Sequence, residues 1–335
     1  MSLSLPLSDE IVRAASLLEQ GRLVAFPTET VYGLGADAEN PVAIARIYAA
    51  KGRPSNHPVI VHLAPEADLG YWVSAIPAQA RSLIEAFWPG PLTLILPRAA
   101  HIPAAVAGGQ DSIGVRCPSH PVAQALLRAF KGGKGGIAAP SANKFGHVSP
   151  TLAQHVSDEF ADGSVDLILD GGQSEVGIES SILDLSRLYT HGPVLLRPGR
   201  ITALQLAGVL GVVPAAPDAA APRASGTLEA HYAPQTPVAM VASAELLPTL
   251  RQLADAGRRV ALLHWCDGPY ADGLQLSSSP AGYAHGLYAG LRALDAAAAD
   301  LILIEAPPLS ADWQAINDRL RRAAHDSSGI LEQLL

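Results

Sequence analysis

Short apolar runs, many of them closed by a glycine or proline, alternate with amphipathic stretches over the first two hundred residues. Leu23 to Phe26 is the first run. Pro27 ends it, and Gly33 and Gly35 mark the segment Thr28-Glu29-Thr30-Val31-Tyr32-Gly33 as a loop after a buried strand. Asn40-Pro41 has the form of an N-cap and first helical position. That helix continues through Ile44 and Tyr48 until Gly52 and Pro54 stop it, which leaves Lys51 and Arg53 at its exit. Strands are expected at Val59 to Leu63, interrupted only by His62, at Leu92 to Leu96 after the stiff turn Trp88-Pro89-Gly90-Pro91, and at Ile113 to Val115 with Arg116 at its end. Ser119, His120 and Pro121 open a helix through Phe130. Gly132 to Gly136 then delivers the chain into a strand, Ile137 to Ala139, followed by a loop from Pro140 to Ser149. Val165 to Leu169, Ser181 to Leu185 and Val194 to Leu196 complete a set of strands interleaved with helices, which predicts an α/β or α+β layered sheet closing near Leu210.

Beyond it the pattern changes. Gly211 to Pro237 is rich in Ala and Pro and reads as an extended linker with no packed element of its own. Val238 to Val241, a helix to Ala256, Val260 to His264, a helix around Tyr283 to Ala298, and Leu301 to Ile304 then repeat a β-α-β rhythm, so a small second α/β domain is expected. The division is therefore residues 1–210, a linker at 211–237 and a C-terminal domain at 238–335, in keeping with 335 residues being long for a single core.

Composition narrows the classes. Nearly half the residues are apolar (49%) and only 16% are charged, as expected of a globular chain. A formal charge of -8 argues against broad, stable binding to nucleic acid, which needs many phosphate-neutralising cations. Cys117 and Cys266 are too few for a disulfide framework or a structural zinc site and fit a reducing cytoplasm. Met1 to Asp9 lacks the form of a secretory leader, and no apolar run approaches the ~20 residues of a membrane span.

Candidate chemistry gathers at three places. Lys51-Gly52-Arg53-Pro54 sets two cations around a glycine at a helix exit, a pairing of point charge and planar fork that suits an oligophosphate, although it reads equally as a solvated helix end. Ala139-Pro140-Ser141-Ala142-Asn143 follows a strand with small residues that let backbone N–H groups approach a phosphate, or alternatively forms a self-satisfied polar turn. Arg197-Pro198-Gly199-Arg200 places a cation directly after a strand. Walker A, dinucleotide, nucleophile-elbow and metalloprotease spacings are all missing from the sequence.

In order and spacing, Pro27-Thr28-Glu29-Thr30-Val31-Tyr32-Gly33-Leu34, Lys51-Gly52-Arg53-Pro54, Trp88-Pro89-Gly90-Pro91-Leu92-Thr93, Val115-Arg116-Cys117-Pro118 and Pro140-Ser141-Ala142-Asn143 resemble the YrdC-type threonylcarbamoyl-AMP synthases. The resemblance covers roughly residues 10 to 210, and the linker with His231-Tyr232-Ala233-Pro234 is similar to the longer, two-domain members. It implies a twisted mixed sheet flanked by helices plus a smaller Rossmann-like domain. It also implies an enzyme that joins L-threonine, bicarbonate or CO2, and ATP into threonylcarbamoyl-AMP and pyrophosphate. The product would pass to a transferase complex that modifies tRNA. By resemblance, threonine contacts fall to Thr30, His62, Arg116, Ala139 and Ser181, ATP contacts to Arg53, His57, Ser141, Ser149, Arg197 and Tyr232, and catalytic roles to Lys51, Arg53 and Asn143. The linker at Tyr232 is implied to act as a lid. Mg2+ is expected with the ATP, without a dedicated protein cage. Physical logic agrees, because the reaction joins two anions and needs cations at the α-phosphate and the departing pyrophosphate. Two alternatives stay open: a carbamoyl-adenylate-forming relative serving hydrogenase maturation, and a non-enzymatic RNA-binding module.

Overall fold

The computed structural model describes residues 7–227, 231–270 and 272–335, with side chains from residue 9 onward. The parts of the N-terminal and linker readings that fall at residues 1–6 and 228–230 lie outside the described residues. The described residues divide into two compact units: those from 7 to 145 with 150–175 and 179–227 form one, and those at 146–149, 176–178 and from 231 onward the other.

In the first unit the strands are β1 (Val24–Phe26), β2 (Gly33–Asp37), β3 (Ile60–Leu63), β4 (Leu92–Pro97), β5 (Ser112–Arg116), β6 (Gly136–Ala138), β7 (Leu167–Ile168), β8 (Ser181–Asp184) and β9 (Val194–Arg197). They form one mixed sheet in the order β7-β1-β2-β6-β3-β5-β4-β8-β9. Strand pleat sorts the side chains between its two faces. Val61, Leu63, Leu92, Leu94, Leu96, Ile113 and Val115 point into the main core, where Ile44 and Ile47 of the helix Pro41–Lys51 and Leu83 of the helix Ala78–Phe87 meet them. The opposite face is covered differently at its two ends. At one end Phe26, Ile137 and Ala139 pack under the helices Leu7–Glu19 and Pro121–Ala129. The first of these turns Ile11, Ala14, Ala15 and Leu18 inward at helical spacing, and Leu18, fully buried, contributes roughly 1.5–3 kcal/mol. At the other end Ile60, Ile95, Ile182, Val194 and Leu196 are covered by Ala224.

Two expectations are corrected. Gly33 and Gly35 do not sit in a loop: they belong to β2, which pairs antiparallel with β1. A Cβ at Gly35 would come within 2.9 Å of both Ile137 and Phe26, so glycine here permits close packing of a strand and does not break it. Nor is the linker unpacked. Ala215 pairs with Val194 of β9 and Ala224 is buried at 7% exposure, because the apolar end of the open sheet face needs a cover and residues 211–227 supply it.

The second unit contains a four-stranded parallel sheet, β10 (Val238–Val241), β11 (Val260–His264), β12 (Leu274–Gln275) and β13 (Leu301–Glu305), in the order β10-β13-β11-β12. Continuous apolar strands such as Leu301-Ile302-Leu303-Ile304, buried on both faces, are what a parallel sheet between helices requires. Leu246 and Leu253 of the helix Ser243–Asp255 pack in the core with β11 and β13, and the helix Pro280–Asp295 buries Tyr283, Leu287, Tyr288 and Leu291.

Candidate active site

The middle of the open sheet face of the first unit carries the polar residues. His62 of β3 lies opposite Arg116 of β5 in register, and both are nearly fully buried. Arg116 is held on three sides: Nε donates to the Gly90 carbonyl at 3.2 Å, Nη1 to Thr30 Oγ1 at 2.9 Å, and Nη2 to the Glu29 carboxylate at 2.5 Å. The second Glu29 oxygen accepts the Ser119 amide at 3.1 Å. Thr28 orders the loop that supplies these groups. Its hydroxyl donates to the Val31 carbonyl at 2.6 Å and accepts the amides of Thr30 and Val31, both at 3.3 Å. A planar fork so fixed, with N–H donors to spare, suits recognition of a small carboxylate.

Burial, and then the Arg116 charge, push the His62 imidazole down to about 3, so the ring is neutral at physiological pH, and its Nδ1 makes no hydrogen bond among the described residues. The unfolded chain binds this proton at the ordinary value near 6.5 and the folded chain does not, so stability is lost as pH falls through that window. From this residue alone the slope is about 1.4 kcal/mol per pH unit between about 6.5 and 3. His62→Gln is expected to flatten that part of the acid limb, read as urea midpoints between about pH 7 and pH 5. An unchanged slope would exclude a buried neutral His62.

Next to the threonine-type pocket predicted from sequence lies the loop after β6. Gly33 and Ser141 form an isolated bridge, and the Ala142 amide donates to the Tyr32 carbonyl at 2.9 Å, which ties this loop to the loop carrying Thr30. Lys51 joins it from the helix exit. Gly52 caps the helix in the left-handed conformation at φ 65°, so the chain reverses at once and Lys51 turns inward while Arg53 leaves in another direction. Lys51 Nζ donates to the Ser141 carbonyl at 2.6 Å and to the Asn143 carbonyl. Burial, and then the neighbouring Arg53 charge, hold this ammonium well below the usual lysine range.

Two further guanidiniums complete the cationic set. Arg53 Nη2 donates to the Pro58 carbonyl at 2.9 Å and to Ser225 Oγ at 3.0 Å. Arg197 Nε donates to the Ser180 carbonyl at 3.0 Å, Nη2 to Ser180 Oγ at 3.2 Å and Nη1 to the Ser225 carbonyl at 2.7 Å. Thr93 Oγ1 lies 2.8 Å from Ser180 Oγ and steadies it. Ser225 therefore links Arg53 to Arg197. Beneath residues 223–225 a hollow of about 10 Å³ remains, floored by Ile60, Ile95, Gly114 and Ile182 with Ser112 at its side, room for about one water.

Of the residues named from sequence, Thr30 is bonded to Arg116, Lys51 reaches Ser141 and Asn143, and Arg53 and Arg197 share Ser225. His57 packs edge-on against Phe145 at 5.5 Å, with burial lowering its imidazole. The Ala139 amide donates to the Ile60 carbonyl at 2.9 Å, and the Ser181 hydroxyl donates to the Ile201 carbonyl at 2.6 Å. Ser149 and Tyr232 belong to the second unit. There Tyr232 has a positive φ of 62°, stacks on Tyr288 at 5.7 Å and lies under the Arg319 guanidinium at 5.3 Å. Sequence reasoning missed the residues that hold the cations: Glu29, Thr93, Ser180 and Ser225. Only Glu29 carried a usable signal, as a carboxylate inside an otherwise uncharged motif.

Comparison with known proteins places both units. The Sua5/YciO/YrdC family model, described as telomere recombination, matches residues 16–199. A model of the threonylcarbamoyl-AMP synthase C-terminal domain matches residues 201–325. The threonylcarbamoyl-AMP synthase of Pyrococcus abyssi is 36% identical over 324 residues, 93% of either chain. That of Bacillus subtilis is 40% identical over 330 residues, 94% of this chain and 93% of its own. Among solved structures, P. abyssi Sua5 complexed with L-threonine superposes with a TM-score of 0.86 at 34% identity, over 94% of both chains.

Proposed function

The chain belongs to the Sua5/YciO/YrdC family, and from that membership we propose that it is an L-threonylcarbamoyladenylate synthase. The observation that carries the reading is a fixed, buried Arg116 beside Thr30 and His62 in the same unit as the cations Lys51, Arg53 and Arg197. One site then offers a carboxylate partner and phosphate partners.

In this reading Arg116 takes the threonine carboxylate, with Thr30, His62, Ala139 and Ser181 around the rest of the amino acid. The amine adds to CO2 and loses a proton, giving a carbamate. A carbamate oxygen attacks the α-phosphate of ATP, the bond to the β-phosphate oxygen breaks, and pyrophosphate leaves. Lys51, Arg53 and Arg197 offset the charge that builds there, and the loop through Ser141 and Asn143 presents donors to the phosphates. The flat apolar floor of Ile60, Gly114, Ile95 and Ile182 suits an adenine ring once Ala224 and Ser225 withdraw. Ser225 is the group that phosphate would replace between Arg53 and Arg197. Residues 223–225 would then act as a lid that keeps water from a carbamate and a mixed anhydride, both prone to hydrolysis.

Mg2+ belongs to the nucleotide substrate in this scheme. Among the described residues no three His, Cys, Asp or Glu groups gather to hold a metal, so its ligands would be phosphate oxygens and water. The product is an activated acyl donor for the N6 amine of a tRNA adenosine, transferred by a partner complex in the cytoplasm.

Mixing the full chain with ATP, bicarbonate and L-threonine is expected to release pyrophosphate in proportion to threonine consumed. Release that ignores threonine, or none at all, would overturn the assignment.

A further inference from the structure

A second cluster of buried polar atoms lies in the second unit, at the carboxyl edge of its parallel sheet, where open α/β sheets bind ligands. Glu305 is the last residue of β13 and has no solvent exposure. One of its oxygens accepts the amides of Trp265 at 2.9 Å and Cys266 at 3.0 Å, both in the loop after β11. The other, Oε1, has no hydrogen-bond partner among the described residues, and the same is true of the fully buried Tyr283 hydroxyl. An aromatic relay connects the two. Trp265 lies 5.9 Å from Trp313, and Trp313 lies 5.4 Å, edge-on, from the Tyr283 ring.

The ionisation of these groups restricts what would satisfy them. Burial alone would raise Glu305, but the Cys266 amide, the Ser243 hydroxyl and the Trp265 amide hold it below the usual carboxylate range. Tyr283 is pushed up by burial and then by the Glu305 charge, so it keeps its proton. An ionised carboxylate only accepts, so the missing partner must donate. Glu305 forms no ion pair among the described residues, so its charge also calls for a cation. Among the described residues no group of three His, Cys, Asp or Glu gathers there for a metal ion. A carboxylate, a phenol oxygen and indole rings together are the chemistry that selects an ammonium group. Since neither open atom is solvent-exposed, the ligand must be small.

We propose that this edge is a binding subsite for a small primary amine in its ammonium form, seated on Glu305 Oε1 and the Tyr283 hydroxyl against Trp265 and Trp313. An amine without a carboxylate of its own is favoured, because among the described residues no arginine or lysine is bonded into this cluster to receive one. The subsite is independent of the threonine pocket and does not rest on the synthase reading.

The test titrates the full chain with n-butylamine and with putrescine, followed by calorimetry and tryptophan fluorescence. Saturable binding of one amine per chain is expected, weakened by about tenfold or more in Glu305→Gln and by several-fold in Tyr283→Phe. Threonine-dependent pyrophosphate release should be unchanged in both variants. L-threonine serves as a second arm: one equivalent per chain is expected, and a second equivalent lost in Glu305→Gln would support the same subsite with an amino acid as occupant. If Glu305→Gln loses its near-ultraviolet dichroism, Tyr283→Phe, which removes a single oxygen, carries the test. No saturable amine binding to the wild type, or equal affinity in the variants, would mean that the cluster holds ordered water only and would overturn the proposal.

Discussion

Arg116→Ala is expected to lower kcat/KM for threonine by about two to three orders of magnitude, chiefly through KM. Two losses combine in that figure. On the proposed assignment the substrate carboxylate would lose its fork, and among the described residues Glu29 would keep only the Ser119 amide as a hydrogen-bond partner. Breaking a buried pair from one side costs about 3–5 kcal/mol of stability, because the surviving charge is stranded. The two contributions are separable. Adding Glu29→Gln to Arg116→Ala neutralises the stranded carboxylate, so the double variant should regain much of the lost stability, read as the urea midpoint, and none of the threonine affinity. Return of activity along with stability would mean that Arg116 serves the fold and not the substrate. Arg116→Lys provides an intermediate: one ammonium cannot reach Gly90, Thr30 and Glu29 together, so charge is kept while the fixed fork is lost, and KM should stay high.

How such a pair escapes a reading of the sequence is plain from the separations involved. Arg116 and Glu29 are 87 positions apart, and Arg53 and Ser225 are 172 apart, so neither contact leaves a trace in local spacing. Local pattern fared well where local physics decides. The runs at β3, β4, β5, β8 and β9 were legible because a buried strand is a short apolar run, broken only where a side chain such as His62 or Arg116 faces the site. The exit of the helix Pro41–Lys51 was legible because Gly52 is the residue that an αL cap favours. The strand Gly33-Leu34-Gly35-Ala36-Asp37 looked like a loop because its glycines answer to Phe26 and Ile137, neighbours visible only in three dimensions. The linker misled in the same way. Its prolines describe a chain without regular elements, which is correct, but they do not reveal that Ala224 covers an apolar sheet end. The helix Leu7–Glu19 was legible in principle, since Ile11, Ala14, Ala15 and Leu18 repeat at helical spacing.

Lys51→Met is expected to reduce pyrophosphate release by about three orders of magnitude, some 4 kcal/mol of barrier, while threonine affinity changes by less than about threefold. The side chain keeps an unbranched apolar stem one atom shorter but loses the ammonium, so the carbonyls of Ser141 and Asn143 lose a shared donor. Phosphate stabilisation and loop order then fall together, whereas Arg116, held by its own partners, is untouched. If threonine binding collapsed as well, the lysine would be holding the whole site and not its phosphate half. Its proton gives a sharper measurement. The folded chain binds that proton more weakly than the unfolded chain does, so the wild type should gain stability as pH rises from the depressed folded value toward the ordinary 10.5, a gain absent from Lys51→Met. A polyanion brought to Lys51 reverses the imbalance by favouring the charged form. At a pH inside that window, binding of ATP should therefore draw a proton onto the wild-type protein, and the calorimetric heat there should vary with the ionisation enthalpy of the buffer. In Lys51→Met that dependence should vanish. Heats independent of the buffer across the whole pH range in which the wild type gains stability would remove Lys51 from the set of groups that meet the phosphates and leave it as the tether of the Ser141 loop.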